Sequence, residues 1–555
     1  MADPDTIELS PHYYRDNFLR LCDTVEAQYG DILTSAERAM LARYRDLGFK
    51  AQCLYVRLIS RTGPWFRESK LIYPELGSTR QILDELVARE MALEAGGLSL
   101  EDLGKLFTRK ELLQAFSGVL ATNQFPTKSA LLSAIDELQL DETGMREALS
   151  VCDPQRLISP LGMDLAEHLQ ILFFGNRHQS LTEFVLEDLG VTRYFPYPLD
   201  RDHRLFHCRE AFEEYLACAA LGDEHRALLE QGQPEELPEL ASRMLALTIR
   251  FPSSEKRWQK LCNMLARDLE RMQQLDTALE LYSRSQLHPA RERRARILEK
   301  RGDLVAADAL CIQILSDPWN EAEREAASRI LPRVKRKLDG GRHPRRRDVF
   351  INVALIMPRG DEPVEQQVAT HLRGQWQAVH YVENSLMNTL FGLAFWEQIF
   401  EAVPGVFHHP YQSVPADMYD GAFRQRRATS VDARLAELGS QDLGKILPQA
   451  YRRYMSYQCR WVDWRQIDEA LVETAARIIP AEHLMTIWER MLFDLKENRR
   501  GFPDLIAFGD NTGEYCMIEV KGPGDALQDN QKRWLRHFQA QQIPAQVAWV
   551  EWQDD

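Results

Sequence analysis

The chain has no CxxC pair, and its nine cysteines stand singly between Cys22 and Cys516. An odd number of scattered cysteines favours reduced thiols in a cytosol-like compartment over a disulfide framework. No uninterrupted apolar run approaches 18 residues, so no segment is expected to span a membrane. The opening MADPDTIELS is acidic and polar, without the apolar core of a signal peptide. No glycine-rich loop precedes Lys-Ser or Lys-Thr, so ATP use is not indicated. An excess of positive charge is missing too: 68 Lys and Arg against 83 Asp and Glu leave a formal net charge of −15. That total argues against a nucleic-acid partner, but binding is decided by local fields.

Locally the charge is uneven. Residues 333–347 carry eight Lys or Arg (among them Arg345, Arg346 and Arg347) against one Asp. Arg291, Arg293, Arg294 and Arg296 form a second cluster, and Arg424, Arg426 and Arg427 a third. Such stripes on an acidic protein are compatible with salt-sensitive DNA binding, and equally with solvated charged faces. His203, His207 and Cys208 have helical ligand spacing but no second ligand pair nearby. Trp461 and Trp464, beside Arg460 and Arg465, could contact DNA or be core tryptophans.

A chain of 555 residues exceeds one hydrophobic core and implies three or four domains. Residues 1–95 read as helical, with a buried helix over 51–60, an extended piece over 65–73 and a helix over 78–89 capped by Ser78. That order fits a winged-helix-like DNA-binding domain or a generic helical one. Residues 96–150 hold two short helices, 108–116 and 127–135, with Arg109, Lys110 and Lys128 at their starts. They resemble the SAP helix-extended-helix DNA-binding module. Residues 205–338 read as helical hairpins, within a TPR-like helical domain over 151–340. Leu275-x-x-Ala278 returns as Leu304-x-x-Ala307, 29 residues on, with Leu281 and Leu310 in register, a TPR-like repeat. The basic stretch 335–347 reads as a linker, and 349–357 (VFINVALIM) as a buried strand entering a last domain, 341–555. The overall expectation is a multidomain, mostly α chain ending in an α/β domain.

The chemistry sits near the C-terminus. Residues 501–508 and 514–521 read as two apolar strand segments joined through Asn511-Thr512-Gly513, good hairpin turn chemistry. Glu519 and Lys521, two apart, face the same way, and pairing can bring Asp504 beside Glu519. Two carboxylates and a lysine at a strand pair make the PD-(D/E)xK arrangement. Oxygen ligands from Asp504 and Glu519 suit hard cations such as Mg²⁺ or Mn²⁺. Such an ion lowers the pKa of its water and neutralises charge developing on the phosphate, and a second can stabilise the leaving oxygen. Lys521 would orient or deprotonate the water, or pair with the phosphate. The alternative is a surface strand with a Glu519–Lys521 ion pair. Asp525 is expected to cap a helix over 526–541 carrying Gln531 and Trp534, and 546–552 returns as a strand. Strand, strand, helix, strand is the core of the restriction-endonuclease-like fold.

The motif Gly501-Phe-Pro-Asp-Leu … Ile518-Glu-Val-Lys-Gly-Pro-Gly-Asp-Ala-Leu, with Gln531, Trp534 and Leu535, resembles the VRR-NUC nucleases. Val382-Glu-Asn-Ser385 with 392–400 (GLAFWEQIF), and 54–58 (LYVRL) with Trp65 and 70–73 (KLIY), are similar to the Fanconi-associated nuclease family. That resemblance implies a SAP-type module, a TPR-like domain and a C-terminal nuclease. It implies 5′-flap incision and 5′-to-3′ exonucleolytic trimming of branched DNA in interstrand-crosslink repair. It also implies a third acidic metal ligand, Glu383, on a helix outside the minimal core, alongside Asp504, Glu519 and the Val520 carbonyl, with two ions per site and Gln531 in support. Animal members carry a ubiquitin-binding zinc finger, and no Cys/His run here would make one. A bacterial, cytoplasmic and nucleoid-associated protein is expected, nuclear if the source is eukaryotic. A junction-resolving enzyme of the same superfold and a non-catalytic TPR-like scaffold are the rival readings.

Overall fold

A computed structural model describes residues 11–61, 63–94, 98–120, 125–153, 156–179, 193–341 and 348–553. Arg345, Arg346 and Arg347 therefore lie outside the described residues. The chain divides into two compact units, Met1–Val191 and Thr192–Asp555.

In the first unit, helices Tyr13–Tyr29, Ser35–Arg45 and Phe49–Ile59 precede the short strand β1 (Phe66–Arg67). Helix Thr79–Ala88 and β2 (Ala92–Glu94) follow, and β3 (Leu157–Pro160) pairs antiparallel with both strands in the order β1-β3-β2. Of the stretch expected to be extended, only Phe66–Arg67 is strand, and Glu68–Lys70 tightens into a 3₁₀ turn. Ser78 stands at the expected N-cap position without making a side-chain cap bond. Among the described residues between β2 and β3 lie four short helices, Leu100–Leu106, Arg109–Ala115, Lys128–Glu137 and Glu142–Ser150, closed on Leu103, Phe107, Leu112, Phe116, Leu131 and Ile135. Thr34-x-x-Glu37 and Thr108-x-x-Glu111 form reciprocal capping boxes that start two of the helices. The buried Arg67 guanidinium reaches Asp153 at 2.6 Å and Glu111 at 2.7 Å, fastening β1 to the short helices. The segments 1–95 and 96–150 thus fall within one compact unit, and β3 brings residues beyond 150 into the same sheet.

The second unit begins with seven helices from Arg209–Glu230 to Glu321–Asp339. Leu275 and Leu304 each open a helix, and Ala278 and Ala307 are fully buried where paired helices approach. The 335–347 linker reading needs correction at its start: the helix runs on to Asp339 and stops at Gly340, in the left-handed region. Several arginines of the second and third basic clusters are paired with carboxylates. Arg291 pairs with Glu323 at 2.6 Å, Arg293 with Glu270, Arg296 with Glu292 and Arg427 with Asp417. A guanidinium as buried as Arg291 or Arg427 needs such a partner to offset its desolvation.

A five-stranded sheet follows, built from β5 (Asn352–Met357), β6 (Ala378–Tyr381), β8 (Leu505–Phe508), β9 (Tyr515–Lys521) and β10 (Ala545–Trp552), in the order β5-β10-β9-β8-β6. Strands β4 (Arg193–Tyr194) and β7 (Tyr457–Gln458) form a separate parallel pair. β10 runs parallel to β5 and β9, and β8 antiparallel to β9 and β6. The 349–357 run is not a buried strand. Among the described residues it is a sheet edge covered on one face only: Leu355 and Met357 are buried, Ile356 between them is exposed, and Val349 and Ile351 ahead of the strand are exposed. Beside the sheet a large core packs Trp396, Trp461 and Trp488 among the helices of 385–493, so Trp461 is a core residue. Among the described residues no helix is long and apolar enough to cross a membrane.

Two histidines in this core set an acid limit. His408 and His409 are 5% and 4% exposed, and burial holds their pKa values down at about 4 and about 3. Below pH 6.5 the unfolded chain binds protons that these rings refuse, so the stability they carry is whole above 6.5 and drains as pH falls towards 4. At pH 5 each ring accounts for ~2 kcal/mol of lost stability. Thermal melting should show a midpoint falling between pH 6.5 and 5, with the fall reduced in the His408→Gln/His409→Gln double variant. An identical slope in that variant would place the acid sensitivity elsewhere.

Candidate active site

The β8–β9 hairpin sets Leu505 opposite Ile518 and Phe508 opposite Tyr515. One step further along the same register, Asp504 faces Glu519. Lys521, two residues along β9 and therefore on the same side, puts Nζ 2.7 Å from Glu519 Oε1. Asp504 Oδ2 accepts the Val520 N–H at 2.9 Å, locking its carboxylate against β9. Glu519 and Lys521 are both buried although the whole group is polar.

The helix behind the hairpin starts later than expected, at Asp529 and not at 526, and Asp525 is not its cap. Asp525 instead accepts the Gly522 N–H at 2.9 Å, closing the turn after β9. Gln528 is the N-cap, in a capping box with Gln531, whose Oε1 accepts the Gln528 N–H at 2.8 Å. That bond turns the other end of the amide inward, and Gln531 Nε2 donates to Glu519 Oε1 at 2.5 Å. Trp534, one turn on, stacks on Phe502 with ring centroids 4.1 Å apart and donates to the Arg500 carbonyl at 3.1 Å. Gly501 has φ +88°, and a Cβ there would meet the Asn530 main chain at 2.7 Å. Glycine at 501 and the aromatic at 502 thus fix the approach of the strand carrying Asp504.

Glu383 does not lie on a helix. It occupies the turn between β6 and helix Ser385–Ala394, at φ +33°, a backbone conformation that costs a non-glycine residue about 1–3 kcal/mol. The turn is held by the N–H groups of Val382 and Glu383, both donating to the Asp504 carbonyl at 2.9 Å. Tyr381 donates its hydroxyl to Glu383 Oε2 at 2.9 Å, and Asn384 donates to Oε1 at 3.0 Å. The Asn384 Oδ1 accepts from the N–H groups of Gly501 and Phe502, at 2.8 and 3.2 Å. The turn is therefore stitched to the segment that carries Asp504.

The electrostatics of the group are those of crowded, buried carboxyls. Burial, then the neighbouring Asp504, push Glu519 up to about 8, against the pull of Lys521. Burial also raises Asp504, opposed by the Val520 N–H and Lys521 and reinforced by Glu365 and Glu383. Glu365, in the first turn of helix Val364–Leu372, carries no motif signal and is missing from the sequence reading. Among the described residues no three His, Cys, Asp or Glu side chains are yet gathered closely enough to ligate one ion. Asp504, Glu519, Lys521 and Gln531 are brought together, whereas the Glu383 oxygens are turned to Tyr381 and Asn384. The donors, carboxylates and the Val520 carbonyl, are hard oxygens. A buried carboxyl pair short of positive charge fits a divalent cation.

The other candidate positions are distributed differently. Arg109 donates to the Phe125 carbonyl at 3.0 Å and Lys128 to the Gly104 carbonyl, so both tie the short helices together, while Lys110 is exposed. His203 pairs with Asp200 at 2.7 Å.

Against known families, residues 439–552 match the VRR-NUC domain and residues 12–92 match the FAN1, HTH domain. Glu383 lies upstream of the first span. The Fanconi-associated nuclease 1 homolog of Pseudomonas aeruginosa is 36% identical over 98% of this chain and 97% of its own length. The Arabidopsis thaliana homolog is 24% identical over 94% of this chain and 65% of that protein. A crystal structure of paFAN1 bound to 2-nt 5′-flap DNA with a gap superimposes with a TM-score of 0.79, at 35% identity, covering 100% of both chains. A second, with a 1-nt 5′ flap, gives 0.77 over 98% of this chain. With that identity over nearly its whole length, the chain belongs to the Fanconi-associated nuclease family and is a structure-specific DNA nuclease.

Proposed function

We propose that this nuclease cuts branched DNA at 5′ flaps and trims it 5′-to-3′, using Mg²⁺ or Mn²⁺, two ions per site, in interstrand-crosslink repair at the bacterial nucleoid. The observation that carries the reading is the Asp504–Glu519–Lys521 convergence across one hairpin, and the likeness to a relative solved with 5′-flap DNA supports the substrate. Asp504, Glu519, the Val520 carbonyl and Glu383 would hold the cation. A cation bound there supplies Lewis acidity to the phosphate and a lowered pKa to the attacking water. Lys521 orients that water or pairs with the phosphate, and Gln531 keeps the Glu519 carboxylate turned into the site. Lys110, Arg109, Lys128 and Arg345, Arg346 and Arg347 contribute phosphate contacts. The modules are an N-terminal helical domain (1–95), a SAP-like segment (96–150), a TPR-like array (151–340) and the nuclease (341–555).

End-labelled 5′-flap, splayed and four-way DNAs, incubated with and without Mn²⁺, test this directly. The flap should be cut near its branch, only with metal, and without ATP. Symmetric cutting of the four-way junction in preference to the flap would favour a junction-resolving enzyme.

A further inference from the structure

The first unit contains a cleft of about 410 Å³, within the range of small-ligand sites, that no part of the nuclease chemistry uses. Its wall is Trp65 and Phe66, following the turn at Gly63, which has φ +106°, and Pro64. Trp65 is half-buried, and among the described residues no ring stacks on it. The floor is Arg67, buried, over the Phe107 ring and bonded to Asp153 and Glu111, so its charge is already matched. The rim carries three further cations. Arg61 donates to the Tyr73 hydroxyl at 3.2 Å, Lys70 is exposed, and Lys105 pairs with the exposed Glu101 on its own helix. One carboxylate faces them, Asp102, which is engaged by the Ser99 hydroxyl at 2.6 Å in the first turn of its helix.

An open indole beside three solvent-accessible cations is the combination that binds a base by its π-face and its phosphate by charge. In a duplex the base faces are covered by their neighbours, so a stacking wall of this kind serves an unstacked nucleotide. A net charge of −15 makes a cationic cleft with an aromatic wall a local exception in this chain. We propose that this cleft captures one unpaired deoxynucleotide of the substrate, its base stacked on Trp65 and its phosphate held by Arg61, Lys70 and Lys105. The proposal takes only its ligand class, DNA, from the nuclease reading. It concerns binding remote in sequence from the metal site and is tested without cleavage.

The test uses the full chain in Ca²⁺ with fluorescent oligothymidylate, and with the same strand carrying abasic sites in place of its bases. Trp65→Ala should weaken oligothymidylate binding about fivefold to a hundredfold, from the ~1–3 kcal/mol of a base–aromatic stack. Trp65→Phe should recover most of that loss. On the abasic strand Trp65→Ala should change nothing further, whereas Lys70→Glu/Lys105→Glu should weaken both strands alike. Thermal melting of each variant establishes that it is folded. Equal losses for Trp65→Ala on normal and abasic strands, or no loss on either, would overturn the proposal. Since binding is measured directly, failure here would leave flap cleavage standing, and failure of flap cleavage would leave this result intact.

Discussion

Asp504→Ala and Glu519→Ala should each lower DNA cleavage by at least on the order of a thousandfold, because several kcal/mol of charge stabilisation leave with the ligand. Asp504 is locked to β9 through the Val520 N–H, and Glu519 is held between Lys521 and Gln531. DNA binding should survive, since phosphate contacts from Arg and Lys dominate affinity, and removing a buried carboxylate removes repulsion. Glu519→Gln is the sharper variant, keeping shape and the contact with Gln531 while losing the charge that holds a cation. Glu383→Gln should also lose most activity without unfolding. Lys521→Met should be slow with normal flap affinity. End-labelled flap cleavage under single-turnover conditions, beside flap binding in Ca²⁺, separates these outcomes. Near-wild-type cleavage by either alanine variant would remove that residue from the site.

How much of this site could be read from residue order follows from how local each part is. Asp504, Glu519 and Lys521 lie within one hairpin, so strand alternation and turn chemistry bring them together. Gln531 is set by one capping box, also local, although the helix start was displaced because Asp525 closes the preceding turn instead. Glu383 is different. Its left-handed turn is held by the carbonyl of Asp504, 121 residues away, and no spacing rule reaches that far. Arg291 and Arg427 are buried and paired, which their place in a basic cluster does not reveal, for a related reason. Their carboxylate partners, Glu323 and Asp417, come from other elements, and a charge run shows its cations but not what neutralises them. The exposed side of β5 is not legible in the sequence because an apolar run does not reveal whether both faces of its strand are covered.

The largest expected effect on stability lies at Glu321, in a network reaching helix Asp529–Ala540. Its side chain is fully buried, with Oε1 2.7 Å from Arg490 and Oε2 held by Arg324. Asn498 donates to Oε1 at 3.2 Å, and the Glu321 N–H donates to Asp494 Oδ2 at 3.0 Å. Arg490 in turn lies 5.4 Å over the Trp534 ring, on the helix that carries Gln531. The network therefore joins helices Glu321–Asp339, Ala481–Phe493 and Asp529–Ala540. Burial pulls the Arg490 guanidinium down to about 10, against the opposing pull of the Glu321 charge. Glu321→Ala should cost ~3–5 kcal/mol, because it leaves Arg490 buried and uncompensated, and Arg490→Ala should cost a similar amount by stranding Glu321. The double variant Glu321→Met/Arg490→Met should lose less than either alanine variant, since no lone charge remains in the interior. Urea unfolding of the four proteins provides the comparison. If the two single losses simply added in the double variant, the pair would be acting as independent packing groups and not as a coupled ion pair.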